Sequence, residues 1–181
     1  ASLHIIQSGR VKISLVSEDG AELIVALLQE GDFFGELALL DGHPRSATAI
    51  AVTDAQTRAF GREEFLNFVR RFPDAAVAVC AALAQRLRQA DERLAETVFL
   101  DLPHRLARRV AELAERYGRR TAEGVVLDMP FTQSDLAELA GATRQSVNKV
   151  LSQWEQEGVL RRERRSILIL RPEKLRNGLV S

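Results

Sequence analysis

One cysteine, Cys80, in a chain of 181 residues excludes an intramolecular disulfide and any cluster or zinc held by cysteines within one chain. A reducing compartment is therefore expected. Histidine is sparse too: the three, His4, His43 and His104, lack metal-ligand spacing, so no metal is expected. No serine or cysteine sits in a recognisable nucleophile motif, and no catalytic constellation replaces it, which argues against an enzyme. No apolar run approaches the roughly 20 residues that cross a bilayer, and nothing near the start resembles a secretory signal. The expected location is cytoplasmic, with no membrane partner. Net charge is missing too, since 25 Lys+Arg balance 25 Asp+Glu. A protein coated in positive charge is thereby excluded, but the balance is uneven along the chain. Residues 1–100 hold 10 basic and 14 acidic side chains, and residues 101–181 hold 15 and 11. The second half is the candidate nucleic-acid face.

What is present divides into two patterns. Over residues 3–60 short apolar runs (LHII, VKISLV, ELIVALL, ATAIAV, QTRAF) alternate with turn signals such as Ser8-Gly9, Glu18-Asp19-Gly20 and Glu30-Gly31-Asp32. That rhythm predicts a β-sandwich or roll. Its first strand starts almost at residue 1, and a further N-terminal portion of this domain is expected before it. Residues 62–71 then predict a short amphipathic helix stopped by Pro73.

From Asp74 to Phe99 the pattern is that of one long helix. Ala76, Cys80, Leu83, Leu87, Ala90, Leu94 and Thr97 recur at spacings of 4, 3, 4, 3, 4 and 3, a heptad seam. Such a seam fits pairing with its twin in a parallel homodimer through residues 76–98. A helix lying across its own β domain would show the same small residues. Cys80 reads as a small buried apolar side chain in that seam. Asp101, Leu102 and Pro103 mark a break and a new helix start, with Leu106, Val110, Leu113 and Tyr117 on its buried face. Residues 118–124 read as a polar loop, and VVLDM before Pro130 as a short strand. The domain boundary is expected near residues 100–102.

The segment from Thr132 to Leu160 reads as two short helices joined by a glycine turn. Thr132 caps the first, with Asp135 completing a capping-box-like start, and Leu136, Leu139 and Ala140 share a face. Gly141 ends it. Thr143 caps the second, whose Val147, Val150, Leu151 and Trp154 form the buried side, and Gly158 ends it as a left-handed cap. The other faces carry Arg144, Gln145, Ser146, Asn148 and Lys149. Arg and Gln near the start of such a second helix can reach base edges in a major groove. A helical hairpin buried in a core shares much of this pattern. The following RRERRS and ILIL read as a basic turn and an apolar strand, either a wing whose arginines meet phosphates or a solvated hairpin tip.

A second informative segment is GDFFGELALLDGHPRSATA, residues 31–49. Gly35 permits close backbone approach, Glu36 and Leu37 open a short helix, and Arg45 with Ser46 supplies a cation and a hydroxyl for a phosphate. Glu36 repels a phosphate but accepts from a sugar hydroxyl beside one. A surface arginine and an ordinary N-terminal helix charge would look the same on spacing alone.

Three motifs in order nevertheless resemble one family. They are the G-D-F-x-G-E-L-(A/G)-L segment with its following R-S-A, the F-L-D of residues 99–101, and the reading unit T-x-x-(D/E)-(I/L)-(A/G)…G-x-(S/T)-R-x-(S/T)-V. Together they resemble the cyclic-AMP receptor protein and fumarate–nitrate regulator (CRP/FNR) family of bacterial transcription factors over essentially the whole chain. The resemblance implies an α+β protein with a cyclic-nucleotide-binding β-roll (1–73), a long dimerisation helix (74–100) and a C-terminal winged helix-turn-helix (101–181). It implies a cyclic nucleotide effector, cyclic AMP first, with Gly35, Glu36 and Leu37 on ribose and phosphate and Arg45 and Ser46 on phosphate. Arg86 matches a residue on the base side. Ala90 and Asp91 stand where the cyclic-AMP receptor has a threonine-serine pair for adenine, so Asp91 replaces a hydroxyl by an acceptor for an exocyclic amino group.

For DNA the resemblance implies the set Thr132, Thr143, Arg144, Gln145, Ser146, Asn148 and Lys149. Arg144 matches an arginine on guanine, while Gln145 replaces a glutamate and Lys149 a second arginine. The partners implied are palindromic double-stranded DNA, a second copy of the chain and RNA polymerase, although residues 118–124 match poorly where the family meets the polymerase. The missing cysteine cluster disfavours the iron-sulfur branch. An effector-independent regulator and a nucleotide-sensing protein-interaction module are the alternative expectations.

Overall fold

The computed structural model describes residues 2–128, 132–164 and 166–176. The expected β-rich start is present as β1 (Ser2–Ser8), β2 (Val11–Val16), β3 (Glu22–Leu28), β4 (Phe33–Phe34), the short helix α1 (Glu36–Asp41), β5 (Thr48–Ala51) and β6 (Gln56–Gly61). The strands form two antiparallel three-stranded sheets, ordered β4-β1-β6 and β3-β2-β5. Alternation along each strand puts one face inward. Ile6, Val11 and Leu28 are buried together there, with Ile13, Ala26, Phe34 and Ala55 packed around them. The outer face of β1 carries Leu3, which forms a second core with Leu39 of α1 and Phe65 of α2 (Arg62–Arg71).

The long helix α3 (Pro73–Phe99) follows. Val79 packs on the Leu3 cluster, and the side chains of Arg86 and Arg93 reach Phe33 and Val25 backbone oxygens. These contacts take two positions of the expected seam. Ala76 and Leu83 are half-buried rather than on the open stripe, whereas Val77, Leu87, Leu94 and Val98 are 67, 63, 65 and 67% exposed. Cys80, Ala84 and Asp91 lie exposed between them. Cys80, Leu87, Ala90, Leu94 and Thr97 of the expected seam are thus open, and beside it Val77, Ala84, Asp91 and Val98 are open as well. Cys80 is accordingly not a buried residue of the chain itself.

The chain forms two compact units, residues 1–94 and 95–181, so the last turn of α3 goes with the second. Its tie is ionic: Glu96, 8% exposed, is paired with the buried Arg109 and, at 2.8 Å, with Arg108 of α4 (Leu102–Tyr117). Arg109 also meets Glu112 at 2.7 Å. Arg105 donates to Leu100 O at 2.9 Å, which fastens the break itself to α4. Asp101 caps α4 by accepting from His104 N, and Pro103 sits in the first turn where its missing N–H has no partner to lose.

Beyond α4, the expected polar loop contains strand β7 (Arg119–Thr121), paired with β8 (Gly124–Asp128). Met129 and Pro130, expected to end that strand, lie outside the described residues. Helices α5 (Gln133–Ala140) and α6 (Arg144–Gln156) then precede a hairpin of β9 (Leu160–Arg162) and β10 (Ser166–Ile169), with α7 (Pro172–Arg176) at the end. The sheet order is β7-β8-β10-β9. Leu106, Val110, Leu136, Val147, Leu151, Val159 and Ile169 are all 0% exposed and Trp154 2%. Each such aliphatic burial stabilises the unit by roughly 1.5–3 kcal/mol before ordering costs.

Candidate effector cradle and nucleic-acid interface

The first candidate site gathers around Gly35, at φ 84°, immediately before α1. A Cβ there would lie 2.4 Å from Arg45 Nη1 and 2.6 Å from Ser2 O, so only glycine lets these groups converge. The Arg45 guanidinium donates to Gly35 O at 2.7 Å, to Ser2 O at 2.7 Å and to Ser2 Oγ at 3.3 Å. These bonds fix the plane of an exposed cation whose remaining N–H groups point to no protein acceptor among the described residues. Ser46 and Leu37 are exposed beside it.

Glu36 is 4% exposed. Its Oε1 accepts from Arg86 at 2.7 Å, while Oε2 has no partner among the described residues. A buried carboxylate oxygen without a donor is costly. One O–H brought in from outside the chain, such as a sugar hydroxyl, would satisfy it. Arg86, expected on the base side, is bonded to this carboxylate and to Phe33 O, and lies 4.7 Å over the Phe33 ring. Its planar fork suits a site that needs two acceptors and an aromatic face together. Ala90 and Asp91 are exposed on α3. Sequence reading missed Ser2 and Phe33, whose backbone carbonyls, which no residue type advertises, hold Arg45 and Arg86.

The second candidate site is the α5–α6 pair. The capping box is complete: Thr132 Oγ1 accepts from Asp135 N at 3.1 Å, and the Asp135 carboxylate accepts from Thr132 N at 2.6 Å. Gly141 at φ 61° turns the chain into Thr143, which accepts from Ser146 N at 3.2 Å. Thr132, Thr143 and Ser146 therefore use their side chains on helix starts, Ser146 Oγ lying 2.9 Å from Thr143 Oγ1. At its other end α6 stops at Gly158, φ 64°, with Val159 N donating to Trp154 O and Gly158 N to Glu155 O.

On the open face of α6, Arg144, Gln145 and Lys149 are exposed, and Asn148 is half-buried with Oδ1 lacking a partner among the described residues. Together with Ser152, Gln153 and Gln156 they line one shallow groove. The latter three extend the expected face by two turns, a continuation legible from helical spacing.

The wing differs from expectation. Arg162 is bound to Glu155 (Nε to Oε2 2.7 Å) and Ser152 (2.9 Å), so it braces β9 on α6. Arg162 holds the Glu155 carboxyl below its ordinary range, chiefly through that hydrogen bond. Arg161 lies 3.3 Å from Glu123 and 3.5 Å from Glu163. Arg164 is the wing cation without such a partner among the described residues, and Arg165 lies outside them.

Comparison with known proteins finds a matching domain family for each half of the chain. The cyclic nucleotide-binding domain family matches residues 1–72, and the Crp-like helix-turn-helix domain family matches residues 104–177. A CRP-like cAMP-activated global transcriptional regulator of Mycobacterium tuberculosis is 34% identical over 173 residues, covering 96% of this chain and 77% of that protein. The chain belongs to the CRP/FNR family. The cyclic AMP receptor protein of Thermus thermophilus is 36% identical over 160 residues, 88% of this chain and 71% of that one. A solved CRP/FNR-family regulator from Thermus thermophilus superposes with a TM-score of 0.83 at 27% identity, covering 100% of this chain and 89% of that one. This CRP/FNR protein is a DNA-binding transcription regulator carrying a cyclic nucleotide-binding domain, and its relatives are regulators rather than enzymes. Among the described residues no helix is long and apolar enough to cross a membrane.

Proposed function

We propose that this regulator is a cytoplasmic homodimer whose grip on a palindromic operator is controlled by a cyclic nucleotide, cyclic AMP first. In this reading residues 1–73 hold the effector, residues 74–100 dimerise and residues 101–181 bind DNA. The observation that carries it is the unsatisfied, buried Oε2 of Glu36 next to the Arg45 cradle. A cyclic nucleotide has both complements on one rigid ring, a ribose hydroxyl for Glu36 and a phosphoryl group for Arg45, Ser46 and the amides of residues 35–37. Asp91 supplies an acceptor for an exocyclic amino group of the base.

Arg86 makes the coupling physical. It belongs to α3 and holds the carboxylate that receives the hydroxyl, so effector binding changes the charge balance at an α3 anchor. The exposed stripe of α3 pairs with a second copy, and the recognition helices meet two half-sites about 34 Å apart. Arg144 reads guanine, Gln145 suits adenine, and RNA polymerase is the downstream partner. Coupling is reciprocal, so operator DNA tightens nucleotide binding by the factor that nucleotide tightens DNA binding.

Calorimetric titration with cyclic AMP and cyclic GMP tests this. Saturable binding, abolished in Arg45→Ala and weakened in Glu36→Gln, is expected. Tight operator binding by ligand-free protein, with no response to either nucleotide, would replace it by effector-independent regulation, which the Ala90-Asp91 pair favours.

A further inference from the structure

His4 was left without a role by the sequence, yet it belongs to a chain of polar contacts that ends at Arg45. It projects from the same face of β1 as Ser2, two residues away. Ser2 Oγ lies 2.9 Å from His4 Nε2, and His4 Nδ1 lies 3.2 Å from Thr57 Oγ1. The imidazole is stacked on Phe34, ring centres 5.0 Å apart and 8° from parallel, so it cannot swing away without losing that face. Arg45 donates to both the carbonyl and the hydroxyl of Ser2. The series Arg45, Ser2, His4, Thr57 is therefore continuous.

We infer that Ser2 and His4 extend the cradle: the Ser2 hydroxyl is a further ligand for the effector's phosphoryl oxygens, and His4 decides whether its proton is offered to them. This rests on the reading of the cradle as an anion site. With neutral His4, Nδ1–H donates to Thr57 and Nε2 accepts the Ser2 hydroxyl proton, which is then occupied. With protonated His4 both ring nitrogens donate. Ser2 Oγ then accepts from His4 and Arg45 together, its lone pairs are filled, and its own O–H turns to the anion held by Arg45.

The charges around His4 set the direction of this switch. Burial first, and then the charge on Arg45, hold the imidazole below its ordinary value. β4 offers only Phe33 and Phe34. On β6 the nearest charge, Arg58, pairs opposite Ile5 on the other face and lies 5.0 Å over Phe60. The facing strands β2 and β3 carry Lys12 and Glu22, 4.0 Å from each other, and β5 carries no charge. Helices α1 and α2, packed on the opposite, Leu3 face, carry Asp41, Arg62, Glu63, Glu64, Arg70 and Arg71, while Glu36, at the cradle end of α1, is paired with Arg86 of α3. A phosphoryl anion on Arg45 offsets the repulsion and lets His4 hold its proton more tightly. A group raised in the complex favours the complex fully below its free value, and the gain is lost as pH rises through its bound value. Effector affinity therefore rises as pH falls, with proton uptake.

Two measurements judge this. In ligand-free protein, the His4 imidazole is titrated by NMR in the wild type and in Arg45→Ala; its midpoint moves up when the cation is removed, and an unmoved midpoint overturns the coupling. Cyclic AMP is then titrated calorimetrically from about pH 8 to about pH 5.5, a window centred on histidine, in buffers of different ionisation enthalpy. The wild type binds several-fold more tightly at the acid end and takes up protons. His4→Gln loses both trends, its affinity being the same at the two ends of the range, and Ser2→Ala loses the acid-side gain. Binding that is retained but indifferent to pH, or a pH trend unchanged in His4→Gln, overturns this inference alone. Absence of all nucleotide binding overturns the effector reading and the ligand role of Ser2 with it.

Discussion

The candidate effector cradle and the candidate recognition helix both depend on arginine, and they treat it in opposite ways. In the cradle Arg86 is spent on Glu36 and Phe33, and Arg45 is clamped by two backbone carbonyls. On α6 Arg144 and Lys149 stand in solvent. A site for a small rigid anion gains from donors fixed before the ligand arrives, since ordering them afterwards would subtract from affinity. A DNA-reading face gains from long side chains that adjust to base edges after the backbone has been met. The wing belongs with the first kind: Arg162 is a brace, although its sequence neighbourhood suggested a phosphate contact.

This division between held and offered charges can be broken at several points. The largest effect is expected inside the fold, at Arg109→Ala, which leaves Glu96 short of its buried partner and costs about 3 kcal/mol, read from urea unfolding. Next, Arg144→Ala removes an offered donor; specific DNA binding weakens by about 1–3 kcal/mol while stability is unchanged, and selection from random DNA shows relaxed preference at one half-site position. Arg164→Ala tests whether the wing still offers one cation. The slope of log affinity against log salt should become shallower by about one per subunit, whereas Arg162→Ala should lower stability as well. The smallest effect concerns acid. Glu155 is held below its ordinary value of 4.5, so its contribution is present above that value and lost as pH falls through the folded one. Unfolding midpoints at neutral and acid pH should show Glu155→Gln losing about 0.5 kcal/mol less than the wild type on acidification.

Much of the fold could be read from the residues, because the cues were local. The helix over 62–71, the capped starts at Asp101, Thr132 and Thr143, and the glycine stops at 141 and 158 all depend on chemistry within one turn. Only part of the covered side of α3 could be read, since Ala76 and Leu83 are half-buried. Its first half, AAVAVCAALA, is apolar on nearly every face, so periodicity alone leaves open which stripe the β domain covers. The packing of Val79 on the Leu3 cluster and the reach of Arg86 to Glu36 and Phe33 select it, and both depend on residues far away in the sequence. In the cradle, Gly35, Glu36 and Arg45 were recognisable by residue type. The Ser2 carbonyl and the orphaned oxygen of Glu36 were not, since a backbone atom has no signature and an unmet hydrogen bond exists only in three dimensions.

The ionic tie at the end of α3 has a practical reach. A DNA-binding fragment cut at the visible break, beginning with Asp101, would strip Glu96 from Arg109 and leave a buried guanidinium with only Glu112 to meet it. A fragment begun at Ala95 keeps the pair and the Leu100 carbonyl that Arg105 holds. For expression and crystallisation, the natural place to divide this protein is thus inside a helix rather than at the loop that follows it.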